Sequence, residues 1–118
     1  MTVSNNPVVL INTFDVSPGD EETFLANWEQ ARDFLMTQDG YLASQLHQSI
    51  GSDRGARFVN VGTWASEPAF HQAITKPEFR SLGLPFASDD ALYQIVRADQ
   101  HWDADSAARR RAYAAARN

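Results

Sequence analysis

The side chains that stand out chemically are amides and indoles placed where strands usually carry apolar groups. Asparagine is depleted in strands, and an amide buried without a partner costs about 1–3 kcal/mol. This chain sets Asn12 in the middle of one strand-like segment and Asn60 in the middle of another. Around Asn60, the period of two puts Phe58, Asn60, Gly62 and Trp64 on one face. Gly62 removes a side chain where packing is expected, which opens a hollow with an amide on one side and an indole on the other. If Asn12 faces the same way, two amides converge there. Small-molecule sites look like this, with mostly apolar walls and a few placed hydrogen bonders. A plainer reading also fits, with Asn60 satisfying a backbone group at a bulge, Gly62 marking it and Trp64 serving as core. Spacing alone leaves both readings open.

Other chemistries find little support. His47, His71 and His101 show no H-x-x-x-H spacing, and there is no cysteine to complete a ligand set, so no metal centre is expected. Absence of cysteine also removes thiolate catalysis and iron–sulfur ligation. No G-x-S-x-G elbow or glycine-rich phosphate loop occurs, and Asp89-Asp90 reads as a turn before the last strand rather than an acid–base pair. A net charge of −5 argues against nucleic-acid partners. The run Arg109-Arg110-Arg111 lies in an alanine-rich stretch and reads as a solvated helix face. Residues 1–6 lack the features of a signal peptide and residues 8–11 are too few to span a bilayer, so a cytoplasmic protein without membrane association is expected.

Several elements must position these residues. At 118 residues and 43% hydrophobic, the chain suffices for one core. Residues 7–16 form a β-branched strand. Ser17-Pro18-Gly19-Asp20 then reads as a capping box opening a helix, with Glu21 and Glu22 in its first turn. Phe24, Trp28, Ala31 and Leu35 supply its apolar stripe, widened by Leu25 and Phe34, and Gly40 is its stop. Residues 41–50 and 57–64 read as strands joined by a turn at 51–55. Ser66 begins a short helix bearing Phe70 and Ile74, interrupted by Pro77. Residues 91–98 form the last strand. The order β-α-β-β-α-β predicts an α+β, ferredoxin-like fold with a four-stranded antiparallel sheet, occupying residues 1–100. Residues 101–118 form a C-terminal extension whose alanines favour helix. Val8 to Ile11 do not alternate with polar residues, and Val59 and Val61 oppose Phe58. Both sheet faces therefore need cover, while the helices serve one. A homodimer packing sheet against sheet resolves this.

The segments VVLINTFDV, PGDEETFLANW, DGYLASQLHQS and above all FVNVGTWASEPAF resemble the antibiotic-biosynthesis monooxygenase family over about residues 7–96. The most specific part is N-x-x-x-W-x-S-x-x-x-F at Asn60, Trp64, Ser66 and Phe70. The resemblance implies a dimeric α/β barrel with a cavity between sheet and helices in each subunit. It also implies oxidation of an anthrone- or phenol-like polycyclic aromatic by dioxygen to a quinone, with no metal or organic cofactor. On this reading Asn60 donates to the substrate's enolate oxygen, Trp64 lies near the oxygen-reacting centre and Asn12 matches a first-strand asparagine of some members. His47 corresponds to a histidine of one branch that binds a phenol oxygen or accepts a proton. Phe58, Gly62, Phe70, His71 and Trp28 are the candidate substrate-contacting residues. Phe70 stands where one branch has a tyrosine, so that proton donor is missing. Relatives of the same fold degrade haem; Asn12 and Trp64 fit their pattern, but His71 falls about one helical turn before the axial position, near Ile74 and Thr75. A non-catalytic dimeric binding module, of a stress-responsive kind, is the third reading.

Overall fold

In the computed structural model, residues 6–51 and 56–99 are described. Strand β1 (Val8–Val16) is followed by α1 (Glu21–Leu35), β2 (Tyr41–Gln48) and β3 (Ala56–Trp64). The helices α2 (Glu67–Ile74) and α3 (Pro77–Arg80) then lead to β4 (Asp89–Gln94). The four strands form one antiparallel sheet in the order β2-β3-β1-β4, the ferredoxin-like α+β arrangement expected from the sequence. β1 is paired along both edges, so its valines and isoleucine sit on a half-buried pleated surface that suits branched side chains.

Register sets the site. Leu46, Asn60, Asn12 and Asp90 form one cross-strand row, and Ser44, Gly62, Leu10 and Leu92 form the next. On that face Phe24 of α1 stacks on Phe58 at 4.6 Å between ring centroids. Phe70 of α2 meets Trp64 edge-on at 5.7 Å. Two separate core clusters result, one of Val16, Phe24, Ala56 and Phe58 and the other of Trp64, Phe70 and Ala73. Fully burying a phenylalanine contributes about 1.5–3 kcal/mol, and each well-oriented ring pair adds roughly 0.5–1.5 kcal/mol. The helices hang on these rings rather than on helix propensity alone.

Local signals decide where the helices begin and stop. Ser66 caps α2, its Oγ accepting from the Ala69 N–H at 3.2 Å. Gly40 has φ +88°, and a Cβ there would lie 2.5 Å from Ala69 Cβ, so only glycine lets α2 approach the start of β2. The start of α1 differs from expectation. Ser17 is not its cap: residues 17–20 form a turn closed by Asp20 N–H to Ser17 O at 3.0 Å, and the helix opens at Glu21 with no side-chain cap. Leu25 is 38% exposed and lies off the buried stripe. β2 ends at Gln48, and β4 starts two residues before the expected segment and ends at Gln94. The reason is pairing: Asp89 and Asp90 stand opposite Thr13 and Asn12 and belong to the ladder. The expected helix in the C-terminal extension, His101 and most of the 51–55 turn lie outside the described residues. No helix among the described residues is long and apolar enough to cross a membrane.

Candidate active site

A cavity of about 570 Å³ lies between the sheet and the helices, within the range that holds a drug-sized molecule. Its floor is the covered face of the sheet: Leu10, Asn12, Phe14, Asn60, Gly62, Trp64 and Leu92. α1 contributes Phe24, Asn27, Trp28, Ala31, Arg32 and Leu35, and α2 contributes Phe70, His71 and Ile74. The segment after α3 closes one side with Leu84, Phe86 and Ser88.

One chain of hydrogen bonds crosses this apolar space. Trp28 Nε1–H donates to Asn60 Oδ1 at 3.1 Å, Asn60 Nδ2–H to Asn12 Oδ1 at 2.9 Å and Asn12 Nδ2–H to Asp90 Oδ1 at 2.8 Å. The Ser88 hydroxyl donates to the same Asp90 oxygen. Its direction is fixed at both ends, because an indole only donates and an ionised carboxylate only accepts. Both amides are thereby oriented, which an isolated asparagine would not be. Each NH2 group spends one hydrogen within the chain and keeps a second for another acceptor.

Gly62 sits beside the donors. A Cβ on it would lie 3.7 Å from Asn60 Nδ2 and 3.9 Å from Trp64 Nε1, so its missing side chain leaves open the space flanked by both nitrogens. Trp64 is held edge-on between Tyr41 at 5.4 Å and Phe70 at 5.7 Å, and its own N–H donates no hydrogen bond among the described residues. Two preoriented N–H donors in an apolar enclosure can bind an oxygen that carries developing negative charge, where such donors act strongly.

The structure brings together Asn12, Asn60, Trp64, Gly62, Trp28, Phe70 and His71 around the cavity. It does not bring Phe58 or His47 there. Phe58 is 1% exposed and packs behind the lining, under Phe24. His47 is exposed on the opposite face of the sheet, because strand alternation sends it away from its neighbour Leu46, which packs on the Phe24 cluster. Its Nδ1 lies 3.2 Å from Val59 O. A role for His47 inside this cavity is therefore corrected by its placement. His71 lines the cavity from α2, with its Nε2 3.6 Å from Glu67 Oε2 on the exposed side. Among the described residues no group of three or more His, Cys, Asp or Glu side chains gathers to hold a metal ion.

Sequence reasoning missed Asp90, Ser88, Arg32, Tyr41 and Ser44. Asp90 was legible in principle as a third strand-disfavoured side chain, but only pairing with Asn12 reveals it. Arg32 spans from Asp33 at 3.0 Å to the Trp28 ring, with Cζ 5.3 Å from its centroid. Tyr41 and Ser44 are joined by a 2.5 Å hydroxyl–hydroxyl contact.

Comparison with known proteins bears on this arrangement. A family model described as antibiotic biosynthesis monooxygenase matches residues 7–82. A candidate monooxygenase from Shewanella loihica PV-4 is 40% identical, covering 80% of this chain and 99% of its own, with a TM-score of 0.69. SnoaB, a cofactor-independent oxygenase from Streptomyces nogalater, shares the fold at 24% identity, with 82% and 97% coverage and a TM-score of 0.68. A candidate antibiotic biosynthesis monooxygenase from Bordetella bronchiseptica is 25% identical, covering 78% and 99%, with a TM-score of 0.65. No curated protein matches the chain.

Proposed function

Because the chain belongs to the antibiotic biosynthesis monooxygenase family, we propose that it is a cofactor-independent oxygenase converting an anthrone- or phenol-like polycyclic aromatic to a quinone with dioxygen. The observation that carries this reading is the pair of N–H donors, Asn60 Nδ2 and Trp64 Nε1, flanking the space that Gly62 leaves open in an apolar cavity. Loss of a proton from the substrate leaves an enolate or phenolate. Those two donors hold its oxygen, and Phe70, Trp28 and the aliphatic floor hold its rings. The anion passes one electron to dioxygen, and the resulting radical and superoxide combine to a peroxide. Cleavage of the O–O bond, with loss of the remaining C–H proton, leaves a carbonyl and releases water. The protein's part is preorganised electrostatics and positioning, worth roughly 10²–10³-fold for a single oxyanion donor.

The working form on this reading is a cytoplasmic homodimer, with the outer sheet face as its interface. Val9, Ile11, Val59 and Val61 alternate onto that face and are half-buried in the single chain, while Tyr93 is 49% exposed. The test is oxygen uptake by chelator-treated protein with dithranol or emodin anthrone, using Asn60→Ala/Trp64→Phe as the blank for spontaneous autoxidation. Uptake well above the blank with a quinone product supports the reading. Uptake equal to the blank across a panel of anthrones refutes it. A Soret shift on adding haem, abolished by His71→Ala, would favour haem chemistry instead.

A further inference from the structure

The proposed oxidation begins with removal of a substrate proton, and resting on that reading, we infer that Asp90 is the base that removes it. Among the described residues four ionisable side chains line the cavity: Arg32, Tyr41, His71 and Asp90. A guanidinium cannot accept a proton, and the Tyr41 hydroxyl is engaged with Ser44. His71 stands at the exposed side of α2, facing Glu67. Asp90 alone combines an acceptor with a place in the row that carries the oxyanion donor.

Its geometry suits the task. Asn12 and Ser88 both donate to Oδ1, which holds the carboxylate in position and leaves Oδ2 without a hydrogen bond among the described residues. Asn60 and Asp90 flank Asn12 on either side, so their backbones are two strand spacings apart, roughly 9.5 Å. The two ends are joined through the Asn12 amide by hydrogen bonds of 2.9 and 2.8 Å, so a substrate reaching both lies over that amide. An aromatic whose oxygen and acidic C–H lie on opposite sides of a central ring meets both ends at once. The C–H bond breaks, the proton passes to Asp90 Oδ2, and the electron pair stays on the substrate as its enolate. The protonated carboxyl then returns the proton to the peroxide, and the regenerated carboxylate takes the second C–H proton as hydroxide leaves, the two combining as water. Asp90 is exposed at the cavity rim.

The proton step can be read without oxygen. Anaerobic exchange of the anthrone methylene hydrogens in D2O, followed by NMR, should run well above the buffer rate with the unaltered protein. Asp90→Asn should lower that excess by roughly 10²–10⁴-fold, the usual contribution of a general base. Asp90→Ala should lose it similarly and regain part of it with added formate, which a purely structural role would not produce. Asp89→Asn removes the neighbouring carboxylate, which faces away from the cavity; it serves as the control and should stay within about threefold. Exchange by Asp90→Asn within about threefold of the unaltered protein overturns the assignment. Absence of any protein-catalysed exchange overturns it too. Normal exchange without oxygen uptake leaves Asp90 as the base and removes the oxygenase reading instead.

Discussion

Each face of the sheet departs from the usual pattern: the covered one is apolar but for a single polar row, and the outer one carries an apolar patch. A sheet covered on one side by helices normally carries apolar residues beneath them and polar residues toward water. Here the covered face holds Asn60, Asn12 and Asp90 in one continuous row, while the opposite face alternates Val9, Ile11, Val59 and Val61. The difference separates two jobs. Polar groups under the helices are tolerable because they satisfy one another and face a cavity, so among the described residues no side-chain nitrogen or oxygen is buried without a partner. The apolar outer face has no such explanation among the described residues, which is why we propose a second copy as its cover.

A single substitution can perturb either face. On the covered face, Phe24→Ala removes the ring that touches Phe14, Phe58 and Phe86 and should cost about 3–5 kcal/mol in urea or thermal unfolding. On the outer face, Val61→Asp appears twice in an isologous contact and should weaken self-association by at least about 3 kcal/mol, roughly 10²-fold in Kd, by sedimentation. A variant that sediments like the unaltered protein would remove the proposed interface. Trp28→Phe sharpens the picture inside the cavity. It keeps the ring but deletes the donor that orients Asn60, so kcat should fall about tenfold with little change in melting temperature.

These regions were unequally legible in the sequence. The outer face showed itself through the unbroken run from Val8 to Ile11, since missing alternation is a local signal. The row of amides was half legible: Asn12 and Asn60 looked misplaced in strands, but their convergence depends on a register that links residues 48 positions apart. Asp90 was misread as a turn because two acids beside Ser88 favour one locally, and only pairing with β1 draws them into the sheet. His47 failed for a related reason. Strand period alone cannot say which of two faces is the covered one; Leu46, packed on Phe24 and Phe58, settles it. The start of α1 shows the same limit, where Glu21 takes the Gly19 N–H at 2.6 Å and Ser17 stays in the turn.

The most direct test of the central claim is steady-state oxygen uptake by Asn60→Ala beside the unaltered protein, with the same anthrone and with spontaneous oxidation subtracted. If Asn60 holds the oxygen that becomes charged, kcat should drop roughly 10²–10³-fold while KM changes little, because the contact strengthens as charge develops. A kcat within about twofold of the unaltered protein would contradict the account and reduce the polar row to a structural feature of the sheet.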